Sequence, residues 1–240
     1  MEAEDLLDTR PIRVAVVGTG TGVGKTHFSV ALLHALSLQG RSAVGLKPVE
    51  SGLGAEEEES DAARLAAAST FHVKHPAPYR FPDPVSPHLA ARRVGVEIIP
   101  ARIVDWVTEC SAPWTIIETA GGLLSPLAPS FTNLDLLQML APDLLVLVGL
   151  DRLGTLHDVS ACLLALATDS AELPRPNVVL QTTEVADAST GTNAEELVTL
   201  GMVKHVTLIP RGDPSGRPVA EAALGLLARL QLQVPGRGFT

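Results

Sequence analysis

Aromatic residues and cysteines are scarce in this sequence. Phe, Trp and Tyr make up 3% of 240 residues, so the core must come from Val, Leu, Ile and Ala, and nucleic-acid recognition by base stacking is disfavoured. The two cysteines, Cys110 and Cys162, lie far apart and form no CxxC. This excludes a disulfide framework or a cysteine-rich metal site and predicts a reducing, cytoplasmic compartment.

Basic residues and long hydrophobic runs are also few. The 18 Lys and Arg residues face 27 Asp and Glu residues, and the net charge of −9 argues against a nucleic-acid partner. The most apolar stretch, Leu144–Leu150, is far too short to span a bilayer. The acidic N-terminus, MEAEDLLDTR, predicts no signal peptide. We therefore expect no membrane partner. Any bound phosphate should be contacted by a few nearby residues and not by a broad basic surface.

Short β-branched runs alternate with helical patterns along the whole chain. The strand candidates are Ile12–Val17, Ser42–Lys47, Trp114–Glu118, Leu144–Val148, Val178–Gln181 and Val206–Ile209. The helix candidates are Thr26–Leu38, Pro100–Glu109, Asn133–Leu140, Thr155–Leu166, Asn193–Leu200 and Val219–Leu230. This alternation predicts one α/β domain over residues 1–240, with a mostly parallel sheet of about seven strands and helices on both faces.

Three other segments carry simpler predictions. Residues 1–10 are expected to be a flexible lead-in, and the acidic run Glu56–Glu59 a solvated loop. The proline-rich segment Pro76–Pro87 predicts an irregular connection.

The strongest functional signal is GTGTGVGKT at Gly18–Thr26, directly between a strand and a helix. Its glycines allow several backbone N–H groups to converge on phosphate oxygens, and the start of the helix adds partial positive charge. Lys25 is placed to reach the β- and γ-phosphates, and the Thr26 hydroxyl to bind Mg²⁺. The loop is one residue longer than the common P-loop motif, so the pattern predicts a variant nucleotide-binding site.

Four further residues, Lys47, Ser51, Asp61 and Glu118, are candidates for the same site. Lys47 stands at the carboxyl edge of a strand, where open α/β sheets bind ligands, and the turn after it carries Ser51. Glu118 ends an apolar strand, where an acid is costly unless it meets a cation. Asp61 is our choice for a further metal-binding acid, although a helix-cap role is the commoner one for Ser-Asp at a helix start when Asp61 is taken alone. A solvated surface position is the plainer interpretation of Lys47 taken alone.

Together these segments resemble the dethiobiotin synthetase family. The matching motifs are the lengthened P-loop at Gly18–Thr26, KPVxSG at Lys47–Gly52, SDA at Ser60–Ala62, PxxPHxAA at Pro84–Ala91, and EGAGGxxxPL at Glu118–Leu127 with Thr119 in place of a glycine. Their order and spacing hold from the first strand to about Pro210.

The resemblance implies a P-loop homodimer that converts 7,8-diaminopelargonate, CO₂ and ATP, with Mg²⁺, into dethiobiotin, ADP and phosphate. The implied catalytic residues are Lys25 and Lys47, and the implied Mg²⁺ contacts are Thr26, Asp61 and Glu118. The implied nucleotide contacts are Gly22, Val23, Gly24, Lys25, Thr26, His27, Asp61, Glu118, Gly121, Gln181, Thr182, Ile209, Pro210 and Arg211. The implied substrate contacts are Thr19, Lys47 and Ser51, with Gly154, Thr155, Leu156 and His157 lent by the neighbouring subunit.

The sequence departs from the family pattern at two implied binding segments. Gln181 stands where the better-known pattern has Asn-Asp for the nucleotide base. The LGxxNH motif is written Leu153–Asp158 here, with His157 and Asp158 replacing its last two residues. We expect the N–H groups of Thr155, Leu156 and His157 to bind the far carboxylate of the substrate.

Two other classes of P-loop protein are alternatives. A related amide ligase that uses glutamine would need a nucleophilic cysteine, and neither Cys110 nor Cys162 lies in a nucleophile turn. A regulatory ATPase of the MinD or ParA type carries a second lysine near the start of its P-loop, where Gly20 stands here.

Overall fold

Parallel strands form the central sheet of this chain, which the computed structural model describes over residues 10–53, 60–73, 75–169 and 172–233. The strands are β1 Ile12–Gly18, β2 Ala43–Leu46, β3 Val49–Ser51, β4 Tyr79–Phe81, β5 Trp114–Gly122, β6 Pro126–Ala128, β7 Phe131–Thr132, β8 Leu144–Asp151, β9 Asn177–Thr182 and β10 Val206–Ile209. The helices are α1 Lys25–Leu38, α2 Asp61–Ala68, α3 Pro87–Arg93, α4 Pro100–Glu109, α5 Asn133–Leu140, α6 Thr155–Asp169, α7 Asn193–Thr199 and α8 Arg217–Gln231.

The main sheet contains six strands in the order β10-β9-β8-β1-β5-β2, and every neighbouring pair is parallel. All of these strands coincide with predicted ones, so the mostly parallel sheet is confirmed at close to the expected size. Because parallel strands end at the same edge, the P-loop after β1 and the residues after β2, β5 and β8 share one side of the molecule. The sheet topology thus positions the candidate site.

Three local predictions were wrong. Pro76–Pro87 contains β4, which pairs in parallel with β3, and α3 begins at its last residue. Val49–Ser51 is strand β3 and not a turn. The short helices α2 and α3 were absent from the predicted set, because eight or seven residues are too few to show a helical stripe. The predicted loop at residues 56–59 and the lead-in at residues 1–9 lie outside the described residues.

The core has two sides because β1 is buried on both of its faces. Val14 and Val16 pack with α1 and α8, whereas Ala15 and Val17 pack with α5 and α6. These four side chains have no exposed surface. A continuous apolar strand covered by helices on both faces is the arrangement that a parallel sheet requires. None of the described helices is long and apolar enough to cross a membrane.

Replacing either of two glycines by alanine should change the stability of the fold, in opposite directions. A Cβ at Gly45 in β2 would lie 2.7 Å from Leu33 Cδ1 and 3.0 Å from Leu65 Cβ, whereas a Cβ at Gly225 in α8 would meet nothing within 4 Å. Gly45→Ala should therefore destabilise the fold by about 1–3 kcal/mol through overpacking. Gly225→Ala should stabilise it by about 0.5–1 kcal/mol through helix propensity. Urea unfolding of both variants measures this difference, and equal effects would contradict it.

Candidate active site

The P-loop joins the end of β1 to the start of α1 and curves back on itself. Gly22 and Gly24 adopt φ angles of 73° and 89°, in the left-handed region that favours glycine. The Lys25 ammonium donates to the Gly20 carbonyl at 3.1 Å, so this side chain folds over the loop. The Thr19 N–H donates to the Val148 carbonyl at 2.9 Å and ties the loop to β8. The loop is thus a closed concave turn with its lysine inside.

The three predicted constellations meet beside this loop. The Lys47 ammonium donates to Glu118 Oε1 at 2.5 Å and to Asp61 Oδ2 at 2.9 Å. The Thr26 hydroxyl donates to the same Glu118 oxygen at 2.8 Å. Strand β5, helices α1 and α2, and the residue directly after β2 therefore each contribute one polar group to a single cluster.

Both lysines of the site are buried, so the plainer interpretation of Lys47 as a solvated surface residue is wrong. Lys25 is 6% exposed and Lys47 is 5% exposed. Burial disfavours a charged lysine unless an opposite charge compensates it. Lys47 has two carboxylates within hydrogen-bonding distance, whereas the hydrogen bond of the Lys25 ammonium goes to an uncharged carbonyl oxygen of the loop.

The pKa values of the cluster follow from this difference. Burial alone would lower the pKa of Lys47, but Glu118 and Asp61 outweigh it and raise the pKa above its usual value. Burial would raise the pKa of Asp61, but Lys47 brings it below its usual value. Burial, followed by the charge of Lys47, lowers the pKa of Lys25 to about 8. Lys47 is therefore a fixed cation near neutral pH, and Lys25 is the lysine that changes charge most easily.

The residues present fit a divalent cation that also binds phosphate. Glu118 Oε2 is buried and has no hydrogen-bond partner among the described residues. Thr26 and Asp61 add a hydroxyl and a carboxylate, and such all-oxygen ligands suit Mg²⁺. No group of three His, Cys, Asp or Glu side chains with metal-binding geometry occurs in the described parts of the chain. A cation here would therefore need further oxygens, which nucleotide phosphates can supply.

A cavity of about 520 Å³ opens in front of the cluster. Of the predicted residues, it is lined by Gly22, Gly24, Lys25, Thr26, His27, Lys47, Ser51, Asp61, Glu118 and Gly121. Sequence reasoning missed Thr21, Glu50, Arg64, Ala120, Ser125 and the contribution of Pro84–Pro87. The Ser51 hydroxyl donates to the Val85 carbonyl at 2.7 Å, so its hydrogen is already used within the cavity wall.

The remaining predicted nucleotide contacts lie behind or beside the P-loop. Gln181 is 4% exposed, and its Nε2 donates to the Gly24 carbonyl at 3.4 Å. A Cβ at Gly24 would lie 2.7 Å from Gln181 Cγ, so these two residues pack in direct contact. Val23 is part of the core. Thr182 ends β9 and Ile209 ends β10, and the Thr182 hydroxyl donates to the Ile209 carbonyl at 3.3 Å. Pro210 and Arg211 follow β10, and the Arg211 guanidinium lies 3.7 Å from the Glu184 carboxylate.

The predicted substrate-carboxylate segment begins α6 and does not line this cavity. The Thr155 N–H donates to the Arg152 carbonyl at 3.1 Å, and its hydroxyl donates to the Leu150 carbonyl. Arg152 forms an ion pair with Asp158 at 3.0 Å. The Thr155 N–H, one of the three amides predicted to bind the carboxylate, is therefore already used within this turn.

A buried asparagine that sequence reasoning missed holds the end of β5. Asn133 Nδ2 donates to the carbonyls of Ala120 and Gly122, both at 2.7 Å, and the Gly122 N–H donates to Ser125 Oγ at 2.8 Å. The signal in the sequence is weak, because an asparagine opening a helix is usually a cap. Thr119, where the family motif has a glycine, is accommodated because its φ is not positive and β5 continues through it.

Comparisons with known proteins agree on one family. A family model described as an AAA domain matches residues 13–218. The ATP-dependent dethiobiotin synthetase BioD of Anaeromyxobacter dehalogenans is 36% identical over 221 residues, which cover 90% of this chain and 97% of that protein. The enzyme of the same name from Aromatoleum aromaticum is 39% identical over 166 residues, covering 66% and 73%.

Solved structures of other proteins share the fold. A ParA family ATPase from Chlorobium tepidum superposes with a TM-score of 0.60 at 14% identity, covering 92% of this chain and 99% of that chain. The MinC:MinD complex of Aquifex aeolicus gives 0.53 at 12% identity, covering 92% and 96%. At such identities the likeness shows the P-loop fold alone, whereas the sequence relatives show the family. This chain is an enzyme that belongs to the dethiobiotin synthetase family.

Proposed function

We propose that the chain closes the ureido ring of dethiobiotin from 7,8-diaminopelargonate, CO₂ and ATP, releasing ADP and phosphate. The observation that carries this proposal is the cluster of Lys25, Thr26, Lys47, Asp61 and Glu118 at the wall of one cavity. A ring closure driven by ATP needs cations beside both a phosphoryl group and an anionic carbamate, and this cluster supplies two lysines next to the P-loop.

In the proposed reaction a diamine nitrogen captures CO₂ as a carbamate. A carbamate oxygen attacks the γ-phosphorus of ATP, and ADP leaves. The second amine then attacks the carbamoyl carbon, and phosphate leaves as the ring closes. Lys25 stabilises negative charge on the phosphates, and Lys47 stabilises the carbamate and the transferring phosphoryl group. Because its carboxylate partners raise the pKa of Lys47, it serves as a fixed positive charge and not as a general base.

Thr26, Asp61 and Glu118 would hold Mg²⁺, as the buried Glu118 Oε2, which has no hydrogen-bond partner among the described residues, supports. When bound, the ion neutralises charge on the phosphates. The two carboxylates now contact Lys47, so this lysine occupies the place of a cation beside them.

The P-loop segment Gly22–Thr26, His27 and Gly121 would bind the phosphates of ATP. Gln181, Thr182 and Ile209–Arg211 would surround its base, since they lie on the same edge of the sheet beyond the P-loop. Thr19 and Ser51 would contact the substrate from the P-loop and β3 sides.

We also propose that the substrate site is completed by a second copy of the chain. Diaminopelargonate carries a carboxylate several methylenes from its amines, so the site needs a distant anion-binding group. The amides of Leu156 and His157 at the start of α6 suit a carboxylate. Because Gly154–His157 does not line the cavity of its own chain, a neighbouring subunit is the proposed source of this group.

The decisive experiment measures ADP release near neutral pH, with and without diaminopelargonate and bicarbonate. A dethiobiotin synthetase should release ADP only when both are present and should form dethiobiotin. ADP release that ignores both compounds would instead favour a regulatory ATPase of the ParA type.

In the same assay, Lys47→Met should lower turnover by about 100- to 1,000-fold, because it removes a positive charge beside the reacting groups. The matched control is Lys204→Met, which changes an exposed lysine in the same way and should leave turnover unaltered. Urea unfolding of each variant should accompany the assay, because Lys47 also neutralises two carboxylates. Wild-type turnover in the Lys47 variant would contradict its catalytic role.

Asp61→Asn and Glu118→Gln should each raise the Mg²⁺ concentration that gives half-maximal activity. Each substitution keeps the shape of the side chain and removes one negative charge from the proposed ligand set. Asp105→Asn and Glu109→Gln, at exposed positions of α4, are the matched controls. A carboxylate whose removal leaves the Mg²⁺ requirement unchanged is structural.

Above pH 8, the protein should take up a proton when it binds a nucleotide. The pKa of Lys25 is about 8 in the free chain, so at pH 9 this lysine is largely neutral, and phosphates raise its pKa again. Affinity for ATP should therefore fall as the pH rises above 8, and most of a proton, roughly 0.5–0.9, should be taken up at pH 9. Calorimetry in two buffers of different ionisation enthalpy measures the uptake. Lys25→Arg stays charged and should abolish it, and a wild-type protein without uptake would refute the assignment.

A further inference from the structure

Glu50 is a buried carboxylate to which the proposed reaction gives no task. It lies in the middle of β3, is 6% exposed, and lines the same cavity as Lys47 and Asp61. In the sequence it occupies the variable position of the KPVxSG motif, so no motif draws attention to it.

The Glu50 carboxylate binds the start of α2. Its Oε1 accepts from the Asp61 N–H at 2.6 Å, and its Oε2 accepts from the Ala62 N–H at 3.4 Å. The Ser60 hydroxyl oxygen accepts from the Ala63 N–H at 3.1 Å. The first N–H groups of a helix lack partners within it, and a negative charge is favourable there. Glu50 therefore attaches the beginning of α2 to β3.

The helix residue that Glu50 holds by its backbone is the one that carries a proposed metal ligand. The Asp61 side chain is 38% exposed, and of the residues in the cluster it contacts Lys47 at 2.9 Å. Placing a second carboxylate so near Asp61 is unfavourable, and burial raises the pKa of Glu50. Its two backbone hydrogen bonds are the compensation that keeps the carboxylate in this position.

We infer that Glu50 is a positioning residue for the divalent-cation site. By holding the N–H groups of Asp61 and Ala62, it fixes the start of α2 so that the Asp61 carboxylate faces Lys47 and Glu118. This inference rests on the proposed function, because that function assigns Asp61 to the metal.

The test compares Glu50→Gln, Glu50→Ala, Asp61→Asn and the double variant Glu50→Ala/Asp61→Asn in the full chain. The readout is the Mg²⁺ concentration that half-saturates its effect on ADP binding in calorimetry, which needs no turnover. Glu50→Ala should raise this concentration about tenfold, as loss of a residue supporting a metal ligand commonly does. Glu50→Gln keeps one acceptor for the Asp61 N–H and should give a smaller increase. ADP affinity without Mg²⁺ should stay unchanged in both.

The double variant separates positioning from direct attraction of the cation. If Glu50 acts through Asp61, adding Glu50→Ala to Asp61→Asn should raise the Mg²⁺ requirement no further. Additive effects, or equal losses in the Gln and Ala variants, would overturn the inference in favour of a direct charge effect. A lower unfolding midpoint with an unaltered Mg²⁺ requirement would overturn it in favour of a purely structural role. An Asp61→Asn variant with a normal Mg²⁺ requirement would refute the proposed metal site itself, and the inference with it.

Discussion

The candidate site depends on one buried ammonium group held between two carboxylates. Lys47 follows an edge strand of the sheet, Glu118 lies in the neighbouring strand, and Asp61 opens a helix, yet all three side chains meet within hydrogen-bonding distance. A buried charge without a partner is strongly destabilising, so each of these groups constrains where the others can lie. The helix α2 is thereby fixed against the open end of the sheet, although few residues of this short helix are buried in the core.

Lys47 holds the carboxylates of Asp61 and Glu118 together, and on the proposed function these two groups later bind a metal cation. Lys47 lowers the pKa of Asp61 and donates a hydrogen bond to Glu118, so both side chains are held in place beside it. On the proposed function, an incoming cation would replace an existing positive charge and would not have to collect dispersed ligands. The charge balance of the site then changes little while phosphates and cation enter together.

The sequence was informative wherever a short segment determines its own structure. The run of β-branched residues at Ile12–Val17 and the glycines after it predicted β1 and the P-loop, because a buried parallel strand and a phosphate-binding turn have local signatures. Lys47 was found because it follows β2 at the common edge of the parallel strands. Glu118 was expected to end its strand, but β5 continues to Gly122, so that boundary was wrong. That these groups lie in one cluster follows from topology, not from spacing.

The rest could not be predicted because it depends on partners distant in the chain. Pairing of β3 with β4 links residues about thirty positions apart, and neither three-residue strand shows a pattern of its own. The burial of Lys47 depends on a helix whose start is fixed by Glu50, a residue that looks variable in its motif. Asn133 resembles an ordinary helix cap until its contacts with Ala120 and Gly122 are seen.

The contact of Gln181 with Gly24 limits how nucleotide preference can change. The residue implied to recognise the base also supports, with its aliphatic carbons, the glycine that turns the phosphate loop into α1. A substitution at position 181 therefore alters the shape of the surface beneath the phosphates as well as the hydrogen bonds offered to a base. On the proposed function, base selectivity and phosphate affinity are therefore coupled through this contact, and exchange of one nucleotide for another would call for a compensating change in the P-loop.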